Sequence, residues 1–356
     1  MQTLAGGVWR TLSTAAPDSV LVAHRGSDRS LVRWLPGAIA RTIRLVLARR
    51  VDIVVLGDAV THAAFWPALR LLRMPSATMV LGLDMTYGNR AYKAVVPRLL
   101  RRADLVIAIS EATATVAREL GIPPARVHVV RLGVDAPGVT REQRSEARAR
   151  LNVRLGTTDE QVLLLALGRL VRRKGVEWFL RRVLPRLPEH VVFVVAGDGR
   201  EADHVQTAVA ELALDDRVRL LGEVDDAERE LLLRGTDLFV QPNVPVPGDI
   251  EGFGLVTIEA AMRGLPVVAA DLEGLAEAVV DGLTGTLLPS GDADEWTREL
   301  TYFVADRDRL AAQGRAFQAA ARERYSERIM GEQLLRVLGI ERVTGNASRD
   351  RWAMLP

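Results

Sequence analysis

Short continuous apolar runs alternate with stretches of helical periodicity along the whole chain. Val162–Leu167 and Val191–Ala196 contain no polar residue, as expected of strands buried on both faces of a parallel sheet. In the first half the pattern predicts strands at Val20–Ala23, Ile53–Leu56, Ala77–Leu81, Leu105–Ile109 and Val127–Arg131. In the second it predicts Val162–Leu167, Val191–Ala196, Val218–Leu221, Leu238–Gln241, Pro266–Ala269 and Gly285–Leu288. Such alternation reads as repeated βα units, so the fold class is α/β with parallel sheets. Val139–Arg154 is charged and poor in large apolar residues; it reads as a hinge segment with a short helix.

Gly37–Arg50 is amphipathic at a period of 3.6. Ile39, Ile43, Val46 and Leu47 share one face, with Arg41 and Arg44 opposite. One reading is a helix covering its sheet with solvated arginines outside. The other is a face that docks on an anionic membrane.

The chemistry concentrates in Glu251-Gly-Phe-Gly-Leu-Val-Thr-Ile-Glu259. Gly252 and Gly254 exclude a long helix through the segment, so Glu251 lies in a loop and Glu259 in the first turns of a helix Val256–Arg263. A helix start presents unpaired N–H groups and the positive end of a dipole, which suits an anion. Carboxylates beside it can accept hydrogen bonds from sugar hydroxyls. The segment fits a ligand with both phosphates and hydroxyls; it equally fits a Gly-rich turn before an ordinary surface helix. Gly168-Arg169-Leu-Val-Arg-Arg-Lys174-Gly175 follows an apolar strand and precedes a helical pattern. Arg169 and Lys174 thus stand at the carboxyl end of a strand, where open α/β sheets bind ligands. A diphosphate explains both cations.

The motifs Gly168-Arg169…Lys174-Gly175, Gly197-Asp198-Gly199, Glu251-Gly252-Phe253-Gly254…Glu259-Ala260, Gly264-Leu-Pro266-Val-Val268, Gly274…Glu277 and Asp281-Gly282…Gly285 come in one order over residues 160–290. In that order and spacing the chain resembles the retaining glycosyltransferases of family 4. Ala103–Ser110 and Gly133-Val-Asp135 extend the likeness more loosely into the first half. The resemblance implies the GT-B fold, two facing Rossmann-like domains with a cleft between them. Residues 1–138 would form the acceptor-binding domain and 139–327 the nucleotide-sugar-binding domain. Residues 328–340 would be a helix crossing back, and 341–356 a tail.

The resemblance also implies roles. Arg169 and Lys174 hold the diphosphate, and Glu259 binds the ribose hydroxyls. Glu251 sits near the transferred sugar. Gly168, Gly252, Phe253, Gly254, Leu255 and Gly274 line the donor site, largely through their backbone. Gly6, Gly7, Asp84 and Tyr87 are candidates on the acceptor and sugar side. Two departures stand out. Only Met1–Ala5 precede Gly6-Gly7, so the usual first strand is short or missing. Many family members carry His before the Gly of the Leu81-Gly82 loop. Asp84 and Tyr87 on that loop either take part of its role or are turn residues with satisfied local bonds.

The chain has no cysteine, which removes disulfide and thiolate chemistry, and its five histidines are scattered without metal-ligand spacing. No Asp-X-Asp motif lies in a suitable loop, so neither metal nor cofactor is expected beyond the nucleotide-sugar donor. Residues 1–140 hold 18 Lys+Arg against 9 Asp+Glu, whereas the remainder hold 29 against 36. The basic half suggests an anionic partner, and contact with an anionic membrane fits it; no nucleic-acid motif appears. The absence of a signal peptide or an apolar run of spanning length points to the cytoplasm, at most peripheral on a membrane. Two other functions suit the same architecture: a nucleotide-sugar epimerase or hydrolase, and a non-catalytic nucleotide-sugar-binding protein.

Overall fold

The computed structural model describes residues 2–24, 28–86 and 90–340. Strands β1 (Val54–Leu56), β2 (Ser76–Val80), β3 (Leu105–Ala108) and β4 (Val127–Val129) form one sheet in the order β1-β2-β3-β4. Strands β5 (Val162–Leu167), β6 (Val191–Ala196), β7 (Val218–Leu220), β8 (Leu238–Gln241), β9 (Val267–Asp271) and β10 (Thr286–Pro289) form a second, ordered β10-β9-β8-β5-β6-β7. Every pairing in both is parallel. Parallel neighbours need crossover connections, and the helices between the strands supply them while covering both faces. Val191–Ala196 is buried throughout, which accounts for its unbroken apolar run.

Two expectations about the N-terminal half fail. Residues 19–24 are irregular and form no strand. Gly6 and Gly7 lie inside a helix, Gln2–Ala15, instead of at a strand-to-helix turn. That helix packs on the helix Glu327–Val337, with Arg10 Nε donating to Glu327 Oε2 at 2.8 Å. Gly7 and Gly331 serve close helix approach. A Cβ at Gly7 would stand 3.0 Å from Met330 Cε, and one at Gly331 would stand 2.8 Å from Thr11 Oγ1.

The hinge segment is a full helix, Arg141–Leu155, opened by a capping box between Thr140 and Gln143 and closed by Gly156 in the left-handed region. The amphipathic segment belongs to a longer helix, Asp28–Leu47, that runs through Pro36. Its inward positions are Ala38, Thr42 and Val46; Leu47, placed on the apolar face by periodicity, is 66% exposed. Among the described residues no helix is long and apolar enough to cross a membrane.

The chain returns to the first sheet after the helix Arg307–Tyr325. Val134 N–H donates to the Tyr325 carbonyl at 2.7 Å, and Asp135 Oδ1 accepts from Glu327 N–H at 3.1 Å. A Cβ on Gly133 would overlap the Ser326 carbonyl, so this glycine permits the crossing.

Candidate active site

The second sheet reverses direction between β5 and β8. From β5 the chain steps outward through β6 to β7, then returns to β8 and proceeds the other way to β10. Loops leaving the carboxyl ends of β5 and β8 therefore part to opposite faces, and the crevice between them is where such sheets bind ligands. The predicted donor-side residues reach it from the turn after β5, the loop from β8 to the helix Leu255–Met262, and the turn after β9.

These segments are stitched together. Gly175 has φ +66°, and a Cβ there would overlap the Pro242 carbonyl oxygen, so the β5 turn can lean on the β8 exit only with glycine. Val244 N–H donates to the Arg173 carbonyl at 2.9 Å. Lys174 Nζ donates to Glu251 Oε2 at 2.5 Å, and Asn243 Nδ2 donates to the same oxygen at 3.1 Å. Arg173 Nε lies 3.7 Å from it. Glu251 is also tied through its backbone: its N–H donates to Glu273 Oε2 at 2.6 Å, and its carbonyl accepts from Gly274 N–H at 3.1 Å.

The helix Leu255–Met262 begins at Gly254, in the left-handed region, with no side chain capping its first N–H groups. Its residues from Thr257 to Met262 are all buried, so it runs through the core rather than along the surface. Phe253 is buried edge-on to Tyr325, with centroids 6.2 Å apart. Gly168 and Arg169 are exposed, and among the described residues Arg169 has no ion-pair partner.

Both carboxylates are buried, in contrast to a Gly-rich turn before an ordinary surface helix. Their environments push them apart. Burial would raise Glu251, but Lys174, Arg173 and Asn243 outweigh it, and its carboxyl titrates below the usual range. Burial dominates at Glu259, with Arg229 and Arg263 offsetting it only in part, and that carboxyl titrates above the usual range. Arg229 donates to Glu259 Oε2. Arg263 donates to the Glu259 carbonyl at 2.8 Å while Glu230 holds the same guanidinium at 2.6 Å.

On the facing side, the Leu81-Gly82 loop does reach this crevice. A Cβ on Gly252 would overlap the Leu81 carbonyl, and one on Gly82 would lie 3.6 Å from the Gly252 Cα. Asp84, however, is occupied as a turn residue. Its carboxylate accepts from Leu81 N–H at 2.8 Å and Ala59 N–H at 3.0 Å. Burial raises its pKa. Tyr87 lies outside the described residues. Gly7 packs against Glu327 and Met330 in the helix pair, and Gly6 lies beside Arg10 of its own helix, so neither sits in a phosphate-cradling turn. Glu277, read only as part of a motif, spans the two halves: its carboxylate accepts from the N–H groups of Glu111 and Ala112, both at 2.7 Å.

Arg173, Asn243, Gln241, Arg229 and Glu273 were missed by sequence reasoning. Gln241 and Asn243 carried a usable signal, since polar residues flanking a proline at the end of a buried strand face whatever lies beyond it. Arg229 carried none, because its partner is thirty residues away on another helix.

The sequence profile described as "Glycosyl transferases group 1" matches residues 161–306, and that of "Glycosyltransferase Family 4" matches residues 12–136. The chain is 30% identical, over 85% of its length and 80% of the relative's, to a GDP-mannose-dependent alpha-(1-6)-phosphatidylinositol monomannoside mannosyltransferase of Mycolicibacterium smegmatis. Among solved structures it resembles Anabaena HepE in complex with UDP and glucose, with a TM-score of 0.71 at 23% identity, covering 89% of this chain and 84% of that one. It also resembles the sucrose-phosphate synthase of Thermosynechococcus elongatus, with a TM-score of 0.72 at 20% identity over 92% and 86% of the two chains. The two facing parallel sheets are those of the GT-B fold.

Proposed function

This chain belongs to glycosyltransferase family 4, and from that premise we propose that it moves a hexose from a nucleotide-diphosphate sugar to a hydroxyl acceptor with retention of anomeric configuration. The observation that carries this reading is the contact of Lys174 with Glu251 at the β5–β8 crevice, beside the uncapped start of the helix Leu255–Met262. Lysine has three N–H donors and Glu251 takes one of them, so a diphosphate can accept the others. Arg169, exposed on the same turn, supplies a second cation. The relatives support the donor class: one depends on GDP-mannose and another was solved with UDP and glucose.

The bond from the sugar C1 to the distal phosphate oxygen breaks, and charge grows on the departing diphosphate. Lys174, Arg169 and the helix N-terminus stabilise it, without need of a metal. The acceptor oxygen bonds to C1 on the same face, and its proton passes to the departing phosphate. Glu251, ionised and fixed by Lys174 and Asn243, faces the cationic character that develops on the sugar. Glu259 accepts from the ribose hydroxyls, with Arg229 fixing the carboxylate. Residues 1–138 carry the acceptor, and residues 139–327 the donor.

The test is a panel of UDP-, GDP-, ADP- and dTDP-sugars read by thermal shift, followed by product analysis with NMR assignment of the anomeric centre. A donor at 100 times its Kd adds about 2.7 kcal/mol of stability. An inverted product would overturn the retaining mechanism. Donor conversion without any acceptor would favour an epimerase or hydrolase.

A further inference from the structure

Among the described residues, the buried side-chain polar atoms with no hydrogen-bond partner include Gln241 Nε2, Gln241 Oε1, Asn243 Oδ1, Arg173 Nε and Asp249 Oδ1. All five belong to the exit of β8, the loop beyond it, or the β5 turn that leans on that exit. Arg173 and Asp249 are compensated as an ion pair at 3.5 Å, and Arg173 Nε lies 3.7 Å from Glu251, which leaves the carboxamides of Gln241 and Asn243 as the unmet groups. Buried polar groups are nearly always paired, and leaving one unpaired costs about 1–3 kcal/mol. Such a concentration at one end of one strand marks a place for a polar guest.

Gln241 is the extreme case, since both ends of its carboxamide are unpaired while the residue is only 4% exposed. Its position is defined on two sides. It lines a cavity of about 20 Å³ with Gly168, Leu170, Lys174, Val176 and Pro242. On another side its Nε2 lies 3.8 Å from where a Cβ of Gly254 would be. The carboxamide thus lies between the ammonium-bearing side chain after β5 and the uncapped start of the helix Leu255–Met262. A cavity of that size holds one water and no more.

We propose that Gln241 is a positioning residue for the donor diphosphate, acting through one water enclosed with Lys174 and Gly168. The carboxamide oxygen accepts from this water or from the Lys174 ammonium. The water passes a hydrogen bond to a phosphate oxygen held at the helix start. The arrangement lies beside Lys174 and the start of the helix Leu255–Met262, so it senses the diphosphate and not the base. This inference rests on the donor reading given above.

The experiment measures the affinity of wild type, Gln241→Leu and Gln241→Met for matched nucleoside diphosphates and monophosphates by calorimetry. Both substitutions keep the volume and remove the polar ends, and methionine adapts to the site if leucine does not fold. The expected result is about tenfold weaker diphosphate binding, the size of one net hydrogen bond, with monophosphate binding and melting temperature at or above wild type. Unchanged diphosphate affinity would show the carboxamide to be packing only. An equal loss for both nucleotides would place its effect outside the diphosphate, and either result overturns the proposal. If wild type binds no nucleoside diphosphate from the panel, the donor reading itself fails, and this inference with it.

Discussion

Lys174 Nζ stands 2.5 Å from Glu251 Oε2, joining the turn after β5 to the loop that leads into the helix Leu255–Met262. The pair is mostly buried, at 15% and 9% side-chain exposure, so each partner supports the other's charge as well as any ligand. Lys174→Ala should therefore have two effects. Catalysis should fall by ~2–4 kcal/mol in kcat, the range for losing a donor to a developing anion. Stability should fall as well, because Glu251 keeps only Arg173 and Asn243 as partners. The double variant Lys174→Ala with Glu251→Gln should regain the melting temperature and not the activity. Melting curves and initial rates on the two variants check this, and wild-type turnover in Lys174→Ala would remove the lysine from the mechanism.

Arg169→Ala isolates the exposed cation. With no ion pair to lose among the described residues, it should leave the melting temperature unchanged while lowering kcat in the same direction as Lys174→Ala. A kcat equal to wild type would place the diphosphate elsewhere.

The two carboxylates should show opposite signatures with pH. Glu251 titrates below its unfolded value near 4.3, so its contribution is complete above that value and is lost as pH falls through the folded pKa. Glu259 titrates above it, so the folded state holds an extra proton between the two values and stability falls as pH rises through that window. Glu251→Gln should flatten the acid limb of the stability curve, and Glu259→Gln should remove the decline above the ordinary carboxylate range. Chemical denaturation across pH 3–8, approximately the range that brackets both groups, reads each slope; identical slopes in the two variants would contradict the assignment.

Glu277 caps the helix Glu111–Glu119 from the other half of the molecule, accepting two of its first N–H groups. Glu277→Ala removes that cap, worth about 1 kcal/mol. Amide exchange at Glu111 and Ala112 should speed up roughly fivefold, with β5 and β6 unaffected. Unchanged protection at both amides would show that other contacts hold the two halves together.

Chelation and membrane binding test the remaining expectations. Activity should survive EDTA, since Arg169, Lys174 and the helix start are the proposed charge source; loss on chelation with recovery on adding Mg²⁺ would overturn that. The exposed Leu47 and Leu71, at 66% and 84%, lie in the basic first half. If that half carries a lipid-linked acceptor, the protein should sediment with anionic vesicles at low salt and release at high salt. No sedimentation at low salt would favour a soluble acceptor.

The sequence by itself determined the second sheet almost residue for residue, because strands buried on both faces must be continuously apolar and here recur at βα spacing. Val162–Leu167, Val191–Ala196 and Leu238–Gln241 agree with the structure at both ends. It also marked the loops that the structure brings together at the crevice, because glycines and charged residues at strand exits have few roles. The first sheet was less legible. Its short strands lean partly on the covering helices, and a short apolar run such as Val20–Ala23 does not distinguish a strand from an irregular cover. Gly6-Gly7 looked like a turn because close helix packing, the use the structure makes of Gly7, depends on a helix more than three hundred residues away. What only the tertiary structure decided was the environment of each charge. Lys174 meeting Glu251, Arg229 meeting Glu259, Asp84 committed to two backbone amides, and Glu277 reaching the opposite half are long-range pairings. They follow from sheet order and helix placement, and no local pattern encodes them. For the same reason two buried carboxylates that look equivalent on paper titrate in opposite directions: Lys174, Arg173 and Asn243 outweigh burial at Glu251, whereas burial outweighs Arg229 and Arg263 at Glu259.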